Sequence, residues 1–246
     1  GLFATTAGQN VAIGFEAGRG IDTDSNGIFI GYQTGRASGN HTNTIAIGSR
    51  VFSSSVGVSS TVVGTYAAQN GNAQQACYFG MYAGWNNSSD KSIAIGYQSM
   101  YANSIGSNCV AVGWRALHSD PSPEESVAVG HQALFNQTSG RNTAVGFHTL
   151  QDLTSGNYNT AVGGEAAENI TTGGSNVAVG SFALRLGTTV SASTALGYQA
   201  LYNNTIGIGN IATGYKALYN NTIGNVNTAT GYEALVDNIN GASNTA

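Results

Sequence analysis

Charged residues are scarce in this chain of 246 residues: they make up 8% of it, against roughly 25% in typical soluble domains. The chain has 8 basic and 12 acidic residues and no run of lysine or arginine. It therefore lacks the basic patch that binds a phosphate backbone, and we expect no nucleic-acid partner. No stretch approaches the roughly 18–20 consecutive apolar residues of a membrane-spanning helix, so we expect no membrane insertion.

Glycine, by contrast, is abundant, with 35 residues, and one glycine recurs at a fixed interval of 16 or 17 residues. We call it the repeat glycine and number the other positions of each copy from it, so that −1 precedes it and +1 follows it. A repeat that covers the chain predicts one repeat domain over residues 1–246. Because Asn244-Thr245-Ala246 matches the opening of a fifteenth copy, we expect the whole sequence, residues 1–246, to be a fragment of a longer chain. The fourteen repeat glycines are Gly14, Gly31, Gly48, Gly64, Gly80, Gly96, Gly113, Gly130, Gly146, Gly163, Gly180, Gly197, Gly214 and Gly231.

The residues before each repeat glycine alternate as in a β-strand. Position −2 is alanine in eleven copies, and position −1 is Ile, Val, Leu or Phe in twelve. About 17 residues with two glycines leave no room for two helices. The pattern therefore predicts an all-β fold, a parallel β-solenoid of about fourteen coils with two short strands per coil. Glycine would supply the positive φ of the turns, helped by asparagine at −4, as in Asn10, Asn142, Asn159, Asn176, Asn210 and Asn227.

Alternation points position −2 to one side of the strand and positions −3 and −1 to the other. Alanine at −2 fits a narrow coil interior, which would leave the −1 residues as an outer apolar stripe. The reverse arrangement, with the branched residues inside and the small ones at a tight contact between chains, is also open. Both leave an apolar face to be covered, so we expect the chain to associate along its length. This stripe comprises Ile13, Ile30, Ile47, Val63, Ile95, Val112, Val129, Val145, Val162, Val179 and Leu196.

The phrase Asn-x-Ala-(Ile/Val)-Gly, as in residues 10–14, 142–146 and 176–180, resembles the head repeats of trimeric autotransporter adhesins. Residues 159–163, together with Gly-Tyr-Gln-Ala-Leu at 197–201, are still more similar to repeats of phage tail-fibre proteins. The resemblance implies a left-handed β-roll and a homotrimer. It also implies an extracellular location, on a virion tail fibre or a bacterial surface, and a host glycan or protein as a further partner. The period is longer than is usual in adhesin heads, which favours the fibre.

Enzymatic chemistry is not indicated. Glycoside hydrolysis needs two carboxylates across a cleft, yet the acids at +2, Glu16, Glu165 and Glu233, never occupy neighbouring coils. Lys216 falls beside Glu233, as expected of a column that avoids like charges. The proline-containing segment 120–125 fits an exposed turn. We therefore predict a non-enzymatic protein without a cofactor.

Metal-binding signals are weak. Asp22, Asp24 and Asn26 precede a glycine as in the first half of a calcium loop, but position twelve of that loop is Gln33 instead of glutamate. A polar turn is the simpler interpretation. His131 and His148 are one coil apart but predicted to lie on opposite strand faces. The other two histidines, at positions 41 and 118, are expected in turns, and all four are expected to be solvated or packed.

The two cysteines, Cys77 and Cys109, are two coils apart, roughly 9–10 Å at the usual strand spacing. That exceeds the reach of a disulfide, so two free thiols are predicted.

Tyrosines recur at two positions of the last coils, Tyr198, Tyr215 and Tyr232 at +1 and Tyr202 and Tyr219 at +5. Stacking within the solenoid is the expected role, and contact with a glycan is the alternative.

An ice-binding solenoid is a remote alternative, since it needs threonines in register along one face. Four threonines share position −3, but Val177 and Ile211 interrupt the column; the threonines are Thr143, Thr160, Thr194 and Thr228.

Overall fold

A computed structural model describes residues 8–19, 21, 24–88, 90–102, 106–121 and 124–246. The chain divides into two compact units, Gly1–Glu124 (unit 1) and Glu125–Ala246 (unit 2). Within the described ranges no segment is helical. Accordingly, none of these residues forms a helix that could cross a bilayer.

Unit 1 is a parallel β-solenoid. The strand that precedes each repeat glycine pairs in register with the strand of the next coil, so that Ala46 is opposite Val62 and Val62 opposite Tyr78. Two shorter strands pair with each other on a second side of the coil. The strands are β1 (Val11–Ile13), β2 (Ile28–Ile30), β3 (Ile45–Ile47), β4 (Gly57–Val58), β5 (Thr61–Val63), β6 (Ala73–Gln74), β7 (Cys77–Phe79), β8 (Ile93–Ile95) and β9 (Val110–Val112).

Unit 2 repeats this arrangement with one strand per coil. All neighbouring strands are parallel and in register; Ala144, for example, is opposite Ala161, which is opposite Ala178. The predicted parallel β-solenoid is thus confirmed. The strands are β10 (Val127–Val129), β11 (Thr143–Val145), β12 (Thr160–Val162), β13 (Val177–Val179), β14 (Thr194–Leu196), β15 (Ile211–Thr213) and β16 (Thr228–Thr230).

The prediction of two strands in every coil is wrong. In the described residues a second strand occurs only as β4 and β6, both in coils with 16-residue spacing between repeat glycines. Elsewhere the chain after the repeat glycine follows a turn, because positions +2 and +4 have positive φ in every coil, as at Lys216 (φ 54°) and Leu218 (φ 51°). Backbone N–H groups at these positions still donate to neighbouring coils: Lys216 donates to Tyr198 and Leu218 to Ala234.

The repeat glycine is required for two reasons. Its φ lies between 128° and 146° in all fourteen copies, a region that residues with a Cβ rarely adopt. It also stacks on the repeat glycine of the next coil. A Cβ at Gly163 would lie 2.7 Å from the carbonyl carbon of Gly180, whereas one at the neighbouring Gly164 would meet only the Ser181 hydroxyl at 4.0 Å.

The interior is narrow and filled by small side chains from the strand and larger ones from the turn. The −2 alanines of unit 2, such as Ala144, are buried, and so are Ala217 at +3 and Leu218 at +4. Of the two arrangements that the alternation allows, the structure has alanine inside and the −1 residues outside.

Asparagine at −4 does not supply the turn conformation, which corrects the prediction. The residue before it, at −5, has the positive φ, and the asparagine side chain points into the core. Asn159 Nδ2 donates to Asn142 Oδ1 (3.2 Å) and to the Gly173 carbonyl (2.9 Å), and Asn159 Oδ1 accepts from the Asn176 backbone N–H (3.1 Å). These bonds form an asparagine ladder that connects successive coils. The asparagine carboxamide serves here as an internal hydrogen-bonding group. The tolerance of asparagine for positive φ did not predict this role.

Candidate functional site

The outer surface of the strands, which we call the strand face, carries the side chains at −3 and −1. Several are well exposed: Ile13 is 59% exposed, Leu196 44% and Ile211 45%. Neither position holds a charged residue in any copy. The predicted stripe therefore lies on the outside of each unit, on an uncharged surface of apolar and threonine side chains, and such exposed apolar surface marks an interaction site.

The outer surface of the turn, which we call the turn face, carries the side chains at +1, +2 and +5. In unit 2 the tyrosines of this face form two columns of stacked rings. Tyr215 lies between Tyr198 (5.5 Å between ring centroids) and Tyr232 (5.0 Å), and Tyr202 stacks on Tyr219 at 5.2 Å. Stacking is thus confirmed, and it covers both faces of the Tyr215 ring. A glycan could not stack face-on against Tyr215, so contact would have to involve ring edges and hydroxyls.

Lys216 at +2 lies between the two columns. Its ammonium is 5.3 Å from the ring centroid of Tyr215 and 5.4 Å from that of Tyr219. The pKa of Lys216 is raised, first by its hydrogen bond with Tyr215, so the group stays protonated at neutral pH. In the last three coils the polar +2 side chains, Gln199, Lys216 and Glu233, therefore follow the line between the two tyrosine columns.

Unit 1 has a second aromatic cluster that the sequence reasoning missed. Trp85, Tyr101 and His118 stack at +5 with centroid distances of 4.8 and 5.1 Å, and Tyr97 stacks on Trp114 at +1. The sequence did contain a signal for this cluster, because both tryptophans of the chain fall at turn-face positions. Within this cluster the +2 position is itself aromatic: Tyr66 stacks on Tyr82 at 5.1 Å, and Tyr82 contacts the +1 and +5 columns edge-on.

A charged cluster on the turn face of unit 2 was also missed. Arg185 bonds Glu165 and Glu168, each at 2.8 Å, and donates to the Tyr202 hydroxyl at 3.0 Å. Desolvation, then repulsion from Glu168, raises the pKa of Asp152. Since one guanidinium holds both glutamates, the cluster connects three successive coils by ion pairs and hydrogen bonds.

His131 and His148 are adjacent, which corrects the prediction of opposite faces. Their ring centroids are 5.3 Å apart, and His148 Nδ1 is 3.6 Å from Glu168 Oε1. The period-2 argument fails because these residues follow the repeat glycine, and His148 has positive φ in the turn. No group of three or more His, Cys, Asp or Glu side chains suited to a metal ion occurs in the described part of the chain.

Of the three calcium candidates, Asp24 and Asn26 are described by the structure and Asp22 lies outside the described residues. Asp24 is buried, with 1% exposure, and neither carboxylate oxygen has a hydrogen-bond partner. Asn26 is exposed and donates to the Asn43 side chain. The polar turn, with calcium as the weaker alternative, therefore stays the prediction for these residues.

The remaining histidines are packed rather than solvated. His41 is buried between Phe29 and Phe52, where its Nδ1 accepts from the Gly57 N–H and its Nε2 lies 3.2 Å from the Ala37 carbonyl. Burial lowers the pKa of His41, so the ring is neutral. Burial and then Arg115 lower the pKa of His118 to about 4.

Both cysteines are free thiols, as predicted; Cys109 is buried and Cys77 is half-buried on the strand face. Asp120 is buried, but Pro121, Glu124 and Glu125 of the same segment are exposed, as predicted for an exposed turn; Ser122 and Pro123 lie outside the described residues.

Comparison with protein-family models, with curated proteins and with solved structures finds no match to this chain. The parallel β-solenoid and its two outer faces are therefore the basis of any functional conclusion.

Proposed function

We propose that this chain is a structural and adhesive segment of a phage tail fibre, in which three copies associate through their strand faces and extend or support a host-receptor-binding device. The proposal assigns no enzymatic activity and no cofactor to the chain. The observation that carries it is the uncharged apolar strand face on the outside of a parallel β-solenoid.

Burial of this face would supply the free energy of association. Fully burying one valine or leucine side chain contributes about 1.5–3 kcal/mol, and unit 2 alone has five such residues at −1. In a parallel homotrimer each position meets the same position of its sister chains, so a repeated stripe is complementary to itself. The absence of charge is also typical of the centre of an interface.

The extracellular setting is supported by the sequence resemblance and by composition. The repeat phrases at residues 159–163 and 197–201 are those of the fibre resemblance, and the period of 16–17 residues favours a fibre over an adhesin head. With 8 basic residues spread along the chain, binding to nucleic acid is disfavoured.

The mass of the chain in solution tests the proposal. Light scattering at micromolar concentration should give three times 25.1 kDa. Replacing Val145 and Val162 by glutamate should dissociate the assembly, because buried, unpaired carboxylates would face one another. The matched control replaces Gln132 and Gln199 on the turn face by glutamate and should keep the trimer mass. A monomeric wild-type chain contradicts the proposal, and so does a control that dissociates as readily.

A crosslinking experiment locates the interface. In a background with Cys77 and Cys109 replaced by serine, Val145→Cys should form interchain disulfides on oxidation. Gln132→Cys should not, since it lies on the turn face. The reverse pattern would place the contact on the wrong side of the coil.

A further inference from the structure

The turn face of unit 2 contains a groove that runs across successive coils. Its walls are the two tyrosine columns, and its floor is the +2 column between them, where Lys216 lies just over 5 Å from a tyrosine ring on each side. The walls remain accessible to solvent: Tyr198 is 43% exposed, Tyr215 39% and Tyr232 73%. We call this the tyrosine groove. Its residues are Tyr198, Tyr215 and Tyr232 in one wall, Tyr202 and Tyr219 in the other, and Gln199, Lys216 and Glu233 in the floor.

The chemistry of the groove suits a ligand rich in hydroxyl groups. Stacked rings leave their edges available, and the edge of an aromatic ring is its electropositive part. The hydroxyls of Tyr215 and Tyr232 are hydrogen-bonded to the floor residues Lys216 and Glu233. The floor adds an amide, an ammonium and a carboxylate, so donors and acceptors alternate along it. An apolar partner would bury Lys216 and Glu233 without replacing their hydration, which is costly.

Charge argues against a polyanion. The groove and the cluster beside it contain two cations, Arg185 and Lys216, against the carboxylates of Glu165, Glu168 and Glu233. Both Glu165 and Glu168 are already paired with Arg185. A phosphate or sulfate chain would therefore meet little unpaired positive charge, whereas an uncharged ligand meets no repulsion.

The groove also has a repeat along its length. Ring centroids in the two walls are separated by 5.0–5.5 Å from one coil to the next. An extended β-1,4-linked polysaccharide advances by a closely similar distance per sugar. One sugar would then face each coil, and each sugar would meet a tyrosine at +1 and a polar side chain at +2.

We infer that the tyrosine groove binds an uncharged, extended β-1,4-linked polysaccharide lying along the coils, with one sugar per coil. The inference deepens the proposed function by naming a class of receptor, and it rests on that function only for its biological setting. The floor over Tyr66 and Tyr82 of unit 1 differs, because those two side chains are stacked aromatic rings in place of an amide, an ammonium and a carboxylate.

Calorimetric titration of the full chain with cello- and chito-oligosaccharides tests the inference. Affinity should rise at least tenfold from the disaccharide to the trisaccharide and little further to the tetrasaccharide, because the groove residues belong to three coils. Maltotetraose, which is α-1,4-linked and curved, should bind at least tenfold more weakly than cellotetraose. No heat from either β-linked tetrasaccharide at millimolar concentration overturns the inference, and so does equal affinity for maltotetraose.

Tyrosine-to-phenylalanine variants locate the site while keeping the rings stacked. Replacing Tyr198, Tyr215 and Tyr232 together by phenylalanine should weaken tetrasaccharide binding at least fivefold. The matched control replaces Tyr66 and Tyr82 of unit 1 by phenylalanine and should bind as the wild type does. If the triple variant fails to fold, Lys216→Ala replaces it and should show the same loss. Unchanged affinity in the folded triple variant, or in Lys216→Ala when it is used instead, contradicts the assignment.

Light scattering on the same samples separates the two proposals. A trimer that binds no oligosaccharide overturns the tyrosine groove alone. A monomer that binds oligosaccharide through the groove overturns the association alone.

Discussion

At the scale of single residues, the fold depends on backbone conformations that most side chains disfavour. Positions −5, +2 and +4 have positive φ in every coil, and most of their residues are not glycine. A left-handed residue costs roughly 1–2 kcal/mol, while burial of a leucine contributes about 1.5–3 kcal/mol. Burial therefore offsets strain at +4, where Leu218 is fully buried, but not at exposed −5 positions.

Removing this strain at an exposed position should stabilise the protein. Val226 at −5 has a φ of 57° and is 62% exposed, so it combines a β-branched side chain with little burial. Val226→Asn should raise the free energy of unfolding by about 1 kcal/mol, because asparagine tolerates this conformation. Urea denaturation measures the change. Val177→Asn, on an exposed strand residue without positive φ, should lower stability instead, and the same sign in both variants would refute the explanation.

Gly163 and Gly164 are adjacent in the chain, but only Gly163 has a backbone conformation and a stacking contact that require glycine. Gly163→Ala should lower the free energy of unfolding by about 3 kcal/mol or more, because the new Cβ meets the Gly180 backbone at an unfavourable φ. Gly164→Ala should change it by less than about 0.5 kcal/mol, since its Cβ would meet only the Ser181 hydroxyl, at 4.0 Å. Both are compared in urea at one protein concentration. Equal losses would show that glycine content, and not this stacking, determines stability.

At the scale of the coil, side chains inside the solenoid link each coil to the next. Asn159 bonds Asn142, Gly173 and Asn176, so it satisfies groups in three coils. Serine occupies the same position at Ser193, where its hydroxyl accepts from the Asn210 N–H. The ladder thus tolerates a shorter side chain that still offers an oxygen.

Because asparagine and serine both occur at this position, alanine and serine substitutions of Asn159 should lower stability by different amounts. Asn159→Ala should cost about 2–4 kcal/mol, since it leaves the Asn176 N–H and the Gly173 carbonyl buried without partners. Asn159→Ser should cost about half as much, because its hydroxyl can accept from Asn176. Thermal and urea unfolding measure both. An alanine variant as stable as the serine variant would mean that the ladder adds nothing beyond packing.

His118, in the stacked column at +5 of unit 1, should make the free energy of unfolding depend on pH. Because the pKa of His118 is lowered to about 4 in the folded chain, the unfolded chain binds the proton first as pH falls below 6.5. Stability is therefore complete above pH 6.5 and decreases towards pH 4, by at most about 2 kcal/mol after solvent screening.

His118→Phe keeps a ring against Tyr101 and should flatten this dependence, as followed by urea unfolding between pH 7 and 4. Part of the slope should remain, since burial also lowers the pKa of His41. An unaltered slope would exclude His118 as a contributor.

The sequence was sufficient to predict the strand before each repeat glycine but not the turn that follows it. The alternation around Ala144 and Val145 correctly gave parallel register and the inner and outer faces, because period 2 holds wherever the backbone is extended. It failed beyond the repeat glycine, where positive φ brings His131 and His148 together. The Arg185 cluster was missed because its members are one coil apart in sequence and meet only in the folded chain.

At the scale of the whole molecule, each unit has a strand face that is apolar and a turn face that is aromatic and polar. If copies associate through the strand face, stability should depend on protein concentration. The midpoint of thermal unfolding should rise as wild-type protein is concentrated from one to one hundred micromolar. The Val145→Glu/Val162→Glu variant should unfold at a midpoint that concentration does not change. A wild-type midpoint independent of concentration would show that the folded unit is stable alone.

In-register stacking also has a consequence for how such a protein can change. Every coil of unit 2 offers the next one the same backbone donors and acceptors, so a duplicated 17-residue cassette would join its neighbours without any new kind of contact. Recombination between near-identical segments, such as residues 203–218 and 220–235, can add or remove one cassette at a time. Length can therefore evolve in discrete steps while the surfaces that contact other molecules stay the same.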